Sequence, residues 1–180
     1  MKLDVLIKER VSQKTYIERE VDLNLIKELI NVAIYAPNHK MREPWDFLFM
    51  DKKGKQVFKE AYLNTLSDIK KEDIEPKLDK IYKAPLLMFV LMNTSEDFDQ
   101  ELEDLQANAA MIQNFMLLAE EKGISTHWKT PGFIKTDNFK EVLNLPLGYI
   151  ITGIIMIGYA DQKNKPKERK TIETLNFYKG

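Results

Sequence analysis

Apolar positions recur at helical spacing along much of this chain, separated by short apolar runs that read as strands. Leu3, Leu6 and Ile7, followed by Arg10, suggest a short first helix that stops before the polar run Ser12 to Thr15. Leu25, Ile26, Leu29, Ile30, Ala33 and Ile34 mark a second helix, which Asp22 is placed to cap and Pro37 to end. Trp45 to Met50 reads as a strand closed by a charged turn, Asp51 to Gly54. Residues 55–83 are rich in charge and predict one or two surface helices, interrupted at Pro76. Leu86 to Met92 is an unbroken apolar run, too short for a typical helix, and fits a strand buried on both faces.

The strongest signal follows. Leu102, Leu105, Ala109, Ile112, Met116 and Ala119 step by three and four, so a long helix carries a seam that wants a partner. With Ala110, Met111, Phe115, Leu117 and Leu118 added, nearly every face of its second half is apolar. Such a helix is either the centre of the fold or half of a dimer interface. The stripe Met111, Phe115, Met116 reads as core or interface. Gly123 ends the helix, Ile124 to Trp128 reads as a short strand opening into the loop Lys129 to Phe133, and Tyr149 to Tyr159 is a last, mostly apolar strand. Strands separated by helical segments in this way predict an α+β domain with helices around one sheet. No internal repeat is visible, so residues 1–180 read as one domain with a polar C-terminal arm, about 161–180.

Composition narrows the function classes. The 27 basic and 28 acidic residues give a net charge of −1, with no global pull toward nucleic acid or an anionic membrane. Without cysteine there are no disulfides, thiolate nucleophiles or thiolate metal sites, so redox work requires a bound cofactor. The start alternates charged and apolar residues rather than forming a signal-peptide core, which predicts a cytoplasmic location. Leu105 to Ala119 is short of a membrane span and carries polar side chains. Charge is unevenly spread: residues 66–105 hold eleven acidic and five basic side chains, a balance of −6, whereas 161–180 hold six basic and three acidic, +3. The arm has reason to seek an anion or an acidic surface.

A Rossmann glycine fingerprint and a P-loop are both absent, so any phosphate must be held by side-chain charge and hydroxyls. Two clusters suit: Arg10, Ser12 and Lys14 near the start, and Lys167, Arg169 and Lys170 in the arm. Taken alone, each also reads as a solvated face. His39 and His127 are the only histidines, too few for a metal site, and a hydrolase nucleophile elbow is missing.

The segment Ala36-Pro37-Asn38-His39-Lys40-Met41-Arg42-Glu43-Pro44-Trp45 is more specific: two prolines and an Asn-His pair form a rigid loop after a helix, and a Trp opens a strand. Together with the Arg10-Val11-Ser12 start, it resembles the nitroreductase family. Lys83-Ala84-Pro85, the long apolar helix, Gly123, His127-Trp128-Lys129-Thr130 and Gly153 to Tyr159 look like that family's landmarks in family order. The ordered set, covering essentially the whole chain, carries the resemblance.

The resemblance implies an α+β nitroreductase-like fold, a mostly antiparallel central sheet flanked by helices, and an intertwined homodimer. It implies an FMN-dependent oxidoreductase that takes hydride from NADH or NADPH and reduces a nitroaromatic, quinone or related small-molecule acceptor. Arg10 and Ser12 match residues holding the FMN phosphate and ribityl chain, and Lys14 a basic residue near the flavin pyrimidine. Asn38 and His39 match a pair that faces the flavin from the partner subunit. Trp128, Lys129 and Thr130 match the segment along the ring, and Lys167 with Arg169 the basic pair that completes the phosphate site. Three positions depart from the pattern. Val11 offers only its backbone, and Met41 and Glu43 replace an Asn and a Gln, which bears on flavin affinity or substrate preference. In such a site the protein orients and polarises, so no proton-transfer residue is assigned. A donor to the flavin N5 is sought in the loop Thr130 to Gly132, where Pro131 has no N–H. The mostly apolar helix and the arm's terminal Leu175, Phe177 and Tyr178 are suited to hold a two-fold partner. Two other functions remain open: flavin storage without turnover, and a helical interaction module with a basic tail.

Overall fold

The computed structural model describes residues 2–173; Leu175, Phe177 and Tyr178 lie outside the described residues. The described residues form six α-helices and four strands, in order α1 (Leu3–Glu9), α2 (Leu23–Ala33), β1 (Asp46–Met50), α3 (Lys52–Asn64), α4 (Asp68–Tyr82), β2 (Leu86–Asn93), α5 (Phe98–Glu121), β3 (Ser125–Lys129), α6 (Asp137–Val142) and β4 (Tyr149–Gly158). The strands form one antiparallel sheet in the order β1-β2-β4-β3.

β2 is the centre of this α+β fold because both of its faces are apolar. Leu86, Met88 and Val90 point to a core shared with α2 and α5, and Leu87, Phe89 and Leu91 to a second core shared with α3, α4 and α6. β4 divides the same way, Ile155 and Ile157 to the first core and Ile154 and Met156 to the second. The β2–β4 register shifts between Val90 and Leu91, where Thr152 is the extra residue. Its hydroxyl donates to the Val90 carbonyl at 3.1 Å, so the bulge leaves that acceptor satisfied.

α2 begins where expected, with the Asp22 carboxylate accepting from Asn24 N–H. Three expectations are corrected. Asp51 to Gly54 is not a turn: Asp51 accepts from Gly54 N–H and caps α3, which starts at once. The break between α3 and α4 falls at 65–67, where the Thr65 hydroxyl donates to the Tyr62 carbonyl, while Pro76 lies inside α4. The long-helix seam is divided: Ile112, Met116 and Ala119 are buried in the chain's own first core, and only Leu102 and Leu105 remain exposed. Helix α6 had no sequence expectation. No helix among the described residues is long and apolar enough to cross a membrane.

Candidate active site

The chain leaves α1 at Arg10 in extended form and runs along the outer edge of β3. Gln13 fixes it there. Its N–H donates to the Thr126 carbonyl at 3.1 Å, and its own carbonyl accepts from the Tyr16 hydroxyl at 3.1 Å and from the His127 ring at 2.8 Å. A carbonyl only accepts, so His127 Nδ1 carries the proton in that contact. Gln13 is 0% exposed, yet sequence reasoning passed over it. The signal was present: in an extended segment Ser12 and Lys14 share one side and Gln13 takes the other.

Burial holds His127 below the ordinary histidine range, and the cations Lys129, Lys14 and Arg10 push it the same way against the Gln13 carbonyl. Lys129, Lys14 and Arg10 thus lie near enough to His127 for their charges to act on it. Beside them, buried polar side-chain atoms without partners accumulate: Arg10 Nη1, Gln13 Nε2, Ser125 Oγ, Thr126 Oγ1 and Trp128 Nε1. Apart from the Tyr82 hydroxyl, every such atom among the described residues lies on this turn or on β3. Native interiors rarely leave such groups unpaired, and a cluster of them marks a place built for a ligand.

Trp128 packs against the first core, its indole over the backbone of Gly153, where a Cβ would come within 2.0 Å of Nε1. Farther along, Thr130 borders a cavity of about 490 Å³ with Glu101, Leu105, Ile134 and Thr152. Val11 is half-buried and offers no polar side-chain atom.

The arm returns to this edge. Asn164 N–H donates to Gln13 Oε1 at 3.2 Å, Asn164 Nδ2 to the Ser12 carbonyl at 2.9 Å, and Lys163 Nζ to Glu120 Oε1 at 2.5 Å. Lys167 and Arg169 follow in an exposed stretch without helix or strand, with no hydrogen bond or ion pair among the described residues.

The loop carrying Asn38, His39 and Met41 is elsewhere. Asn38 Oδ1 accepts from Glu43 N–H at 2.9 Å and its Nδ2 donates to the Ala36 carbonyl at 3.3 Å, so this side chain shapes its own loop. Arg42 donates to Asp104 at 2.8 Å and Glu103 at 2.7 Å, and Asn108 donates to the Pro44 carbonyl at 2.6 Å. His39 approaches Glu103 at 3.9 Å. Lys40, Met41 and Glu43 are left-handed, with φ of 52°, 51° and 49°. Met41 is 73% exposed. The loop docks on α5 at Asp104 and the arm at Glu120 of the same helix. Sixteen residues at 1.5 Å each put these anchors ~24 Å apart.

One chain thus gathers Arg10, Ser12, Lys14, Trp128, Lys129 and the start of the arm along β3, and holds the 38–43 loop at the far end of α5. A profile of the nitroreductase family matches residues 7–159, spanning both regions. The chain belongs to the nitroreductase family. Its similarity to other members extends beyond the profile. A nitroreductase-like family protein of Bacillus cereus, of known structure, is 35% identical, covering 100% of this chain and 97% of its own, with a TM-score of 0.92. YfhC of Bacillus subtilis strain 168, to which NAD(P)H nitroreductase activity is ascribed by name, is 26% identical over 93% of this chain and 89% of its own length. Iodotyrosine deiodinase, solved with FMN and 3-iodo-L-tyrosine, shares the fold at a TM-score of 0.73 and 23% identity, covering 98% of this chain and all of its own. In this nitroreductase family member the profile stops before Lys163, so the arm's contacts with the 10–14 turn lie outside the matched residues.

Proposed function

We propose that this chain is an FMN-dependent oxidoreductase that draws reducing equivalents from NADH or NADPH and passes them to a nitroaromatic, quinone or related acceptor. The observation that carries this reading is the coincidence, around β3 and residues 10–14, of cations near His127 and buried polar side-chain atoms without partners among the described residues. Family membership says which ligand such a place takes, and the residues fit it. A phosphate group would be met by the forked donors of Arg10 and the Ser12 hydroxyl, while the charge of Lys14 would stand by the flavin pyrimidine. The backbone of Val11 joins them. Gln13, Ser125 and Thr126 are all buried and bring donors that no group among the described residues satisfies.

When bound, FMN supplies the hydride chemistry. The chain's residues bind, orient and exclude water. Trp128, Lys129 and Thr130 wall the site, and Lys167 and Arg169 close it from the arm. His127 remains neutral near pH 7 as a positioned donor to Gln13, so it serves the architecture of the turn. Asn38, His39 and Met41 reach the site from a second copy of the chain, a reading supported by the docking of their loop at Asp104, ~24 Å along α5 from Glu120, where the arm that contacts Ser12 and Gln13 is held. Exposed Leu102 and Leu105 on α5 provide apolar surface for that two-fold contact.

The test is an absorbance spectrum of the purified protein before and after FMN is added, followed by anaerobic NADH or NADPH. A yellow protein that NAD(P)H bleaches, and an acceptor re-oxidises, is expected; a protein that retains no flavin overturns the reading. Flavin storage without turnover is favoured by Met41, a thioether where the resemblance expects an amide. It predicts a yellow protein that NAD(P)H does not bleach.

A further inference from the structure

We infer that Glu120 and Asn164 are positioning residues for phosphate binding: together they latch the C-terminal arm to the 10–14 turn so that Lys167 and Arg169 reach the anion site. This rests on the FMN reading above.

Glu120 is an unusual place for a carboxylate. It is 5% exposed and stands in the last turn of α5, where the helix dipole disfavours negative charge. A buried carboxylate needs a partner, and Lys163 of the arm supplies it at 2.5 Å. The next residue, Asn164, grips the turn twice, through the Ser12 carbonyl and Gln13 Oε1. Beyond these contacts residues 165–173 are exposed, so among the described residues Lys163 and Asn164 carry the arm's attachment to the turn.

The geometry downstream is restricted. Pro166 fixes its own φ and confines Lys165 to extended backbone, so the arm leaves its anchor as a short stiff spacer. Lys167 lies three positions beyond Asn164 and Arg169 five, spans of at most ~11 Å and ~18 Å. Both side chains can be carried to the cations around His127 only while the anchor holds.

Charge explains why an anchor is needed. Without an anion, Lys167 and Arg169 are repelled by Arg10, Lys14 and Lys129. A dianionic phosphate between the two groups reverses the sign. The latch holds the arm in place before the anion arrives, which reduces the ordering that binding must otherwise bring about.

The experiment compares FMN with riboflavin, which lacks the phosphate, by flavin-fluorescence titration of the full-length protein. Glu120→Gln and Asn164→Ala are each expected to weaken FMN by about tenfold, the scale of one charge-assisted contact, and to leave riboflavin affinity unchanged. On a Lys167→Ala/Arg169→Ala background the same substitutions are expected to have little further effect. Equal weakening of both flavins, unchanged FMN affinity, or full additivity on that background overturns the proposal. Asn164 is exposed, so Asn164→Ala carries the test if Glu120→Gln does not fold. Wild-type protein that binds neither flavin overturns the cofactor reading and this inference with it, whereas wild-type binding with insensitive variants overturns the latch alone.

Discussion

The two regions that the family pattern marks are built on opposite principles. Along β3, the Arg10–Lys14 turn has relaxed extended backbone but unpaired side chains: cations face one another, and buried hydroxyls and amides lack partners. In the 38–43 loop the side chains are paired, Asn38 within the loop and Arg42 to two carboxylates, while three residues sit at left-handed φ. In the first region buried polar side chains are unpaired within the described residues; in the second the backbone is strained. The two respond differently to substitution.

The largest effect is expected where the β3 region leaves no room. Gly153→Ala places a methyl within 2.0 Å of Trp128 Nε1 and forces the indole or β4 to move. Overpacking of this kind destabilises by ~1–3 kcal/mol, which for a chain of this size lowers Tm by roughly 2–4 °C per kcal/mol. The displaced indole is expected to change the near-UV circular dichroism and to abolish FMN retention. An unchanged aromatic signal would mean that Trp128 does not depend on Gly153.

A matched pair then separates vacancy from satisfaction. Thr126→Val removes a buried hydroxyl that has no partner, so the flavin-free protein is expected to gain about 1 kcal/mol in denaturant unfolding while losing FMN affinity. Asn38→Ala removes two made hydrogen bonds and is expected to lose about 1–2 kcal/mol. If both substitutions destabilise the flavin-free protein alike, the contrast between the regions fails.

How much of this was legible depended on whether local pattern or tertiary context decided the matter. α2, β2 and α5 were readable because their apolar periodicity matches the face or faces they bury. The division between α3 and α4 was misplaced because proline is the stronger punctuation in sequence, whereas the fold breaks the chain at 65–67 and tolerates Pro76. α6 is six residues long and only Phe139 is buried, too little period to read. At the site, Arg10, Ser12 and Lys14 were visible as charge and hydroxyl, whereas alternation put Gln13 on the opposite side without showing its contacts with residues 126, 127 and 164. The direction in which α5's seam faces was likewise a property of packing, not of period.

Backbone strain gives the next prediction. Met41 holds φ 51° with a long side chain that is mostly solvent-exposed, and asparagine accepts that conformation far more readily. Met41→Asn is expected to stabilise the protein by about 0.5–1 kcal/mol, measured by urea unfolding. It also restores the amide that the resemblance expects and is predicted to tighten FMN. Stabilisation without tighter binding would place Met41 outside the flavin's reach.

The smallest effect is the most diagnostic, because the chain's two histidines fall one in each region. His127 is held below the ordinary histidine pKa, first by burial and then by Lys129, Lys14 and Arg10. As pH falls through about 6.5, the unfolded chain takes up a proton on this ring before the folded chain does, so stability present above that pH declines on acidification. The decline ends once the folded ring is protonated as well. The FMN phosphate beside Arg10 neutralises one of these cations and removes part of the cause, so FMN is predicted to raise the His127 pKa and shrink the acid-dependent loss. Two ring resonances followed by NMR against pH, with and without FMN, read this directly. If FMN leaves the His127 titration unmoved, the anion does not sit beside Arg10, and the unpaired groups along β3 have been assigned to the wrong part of the ligand.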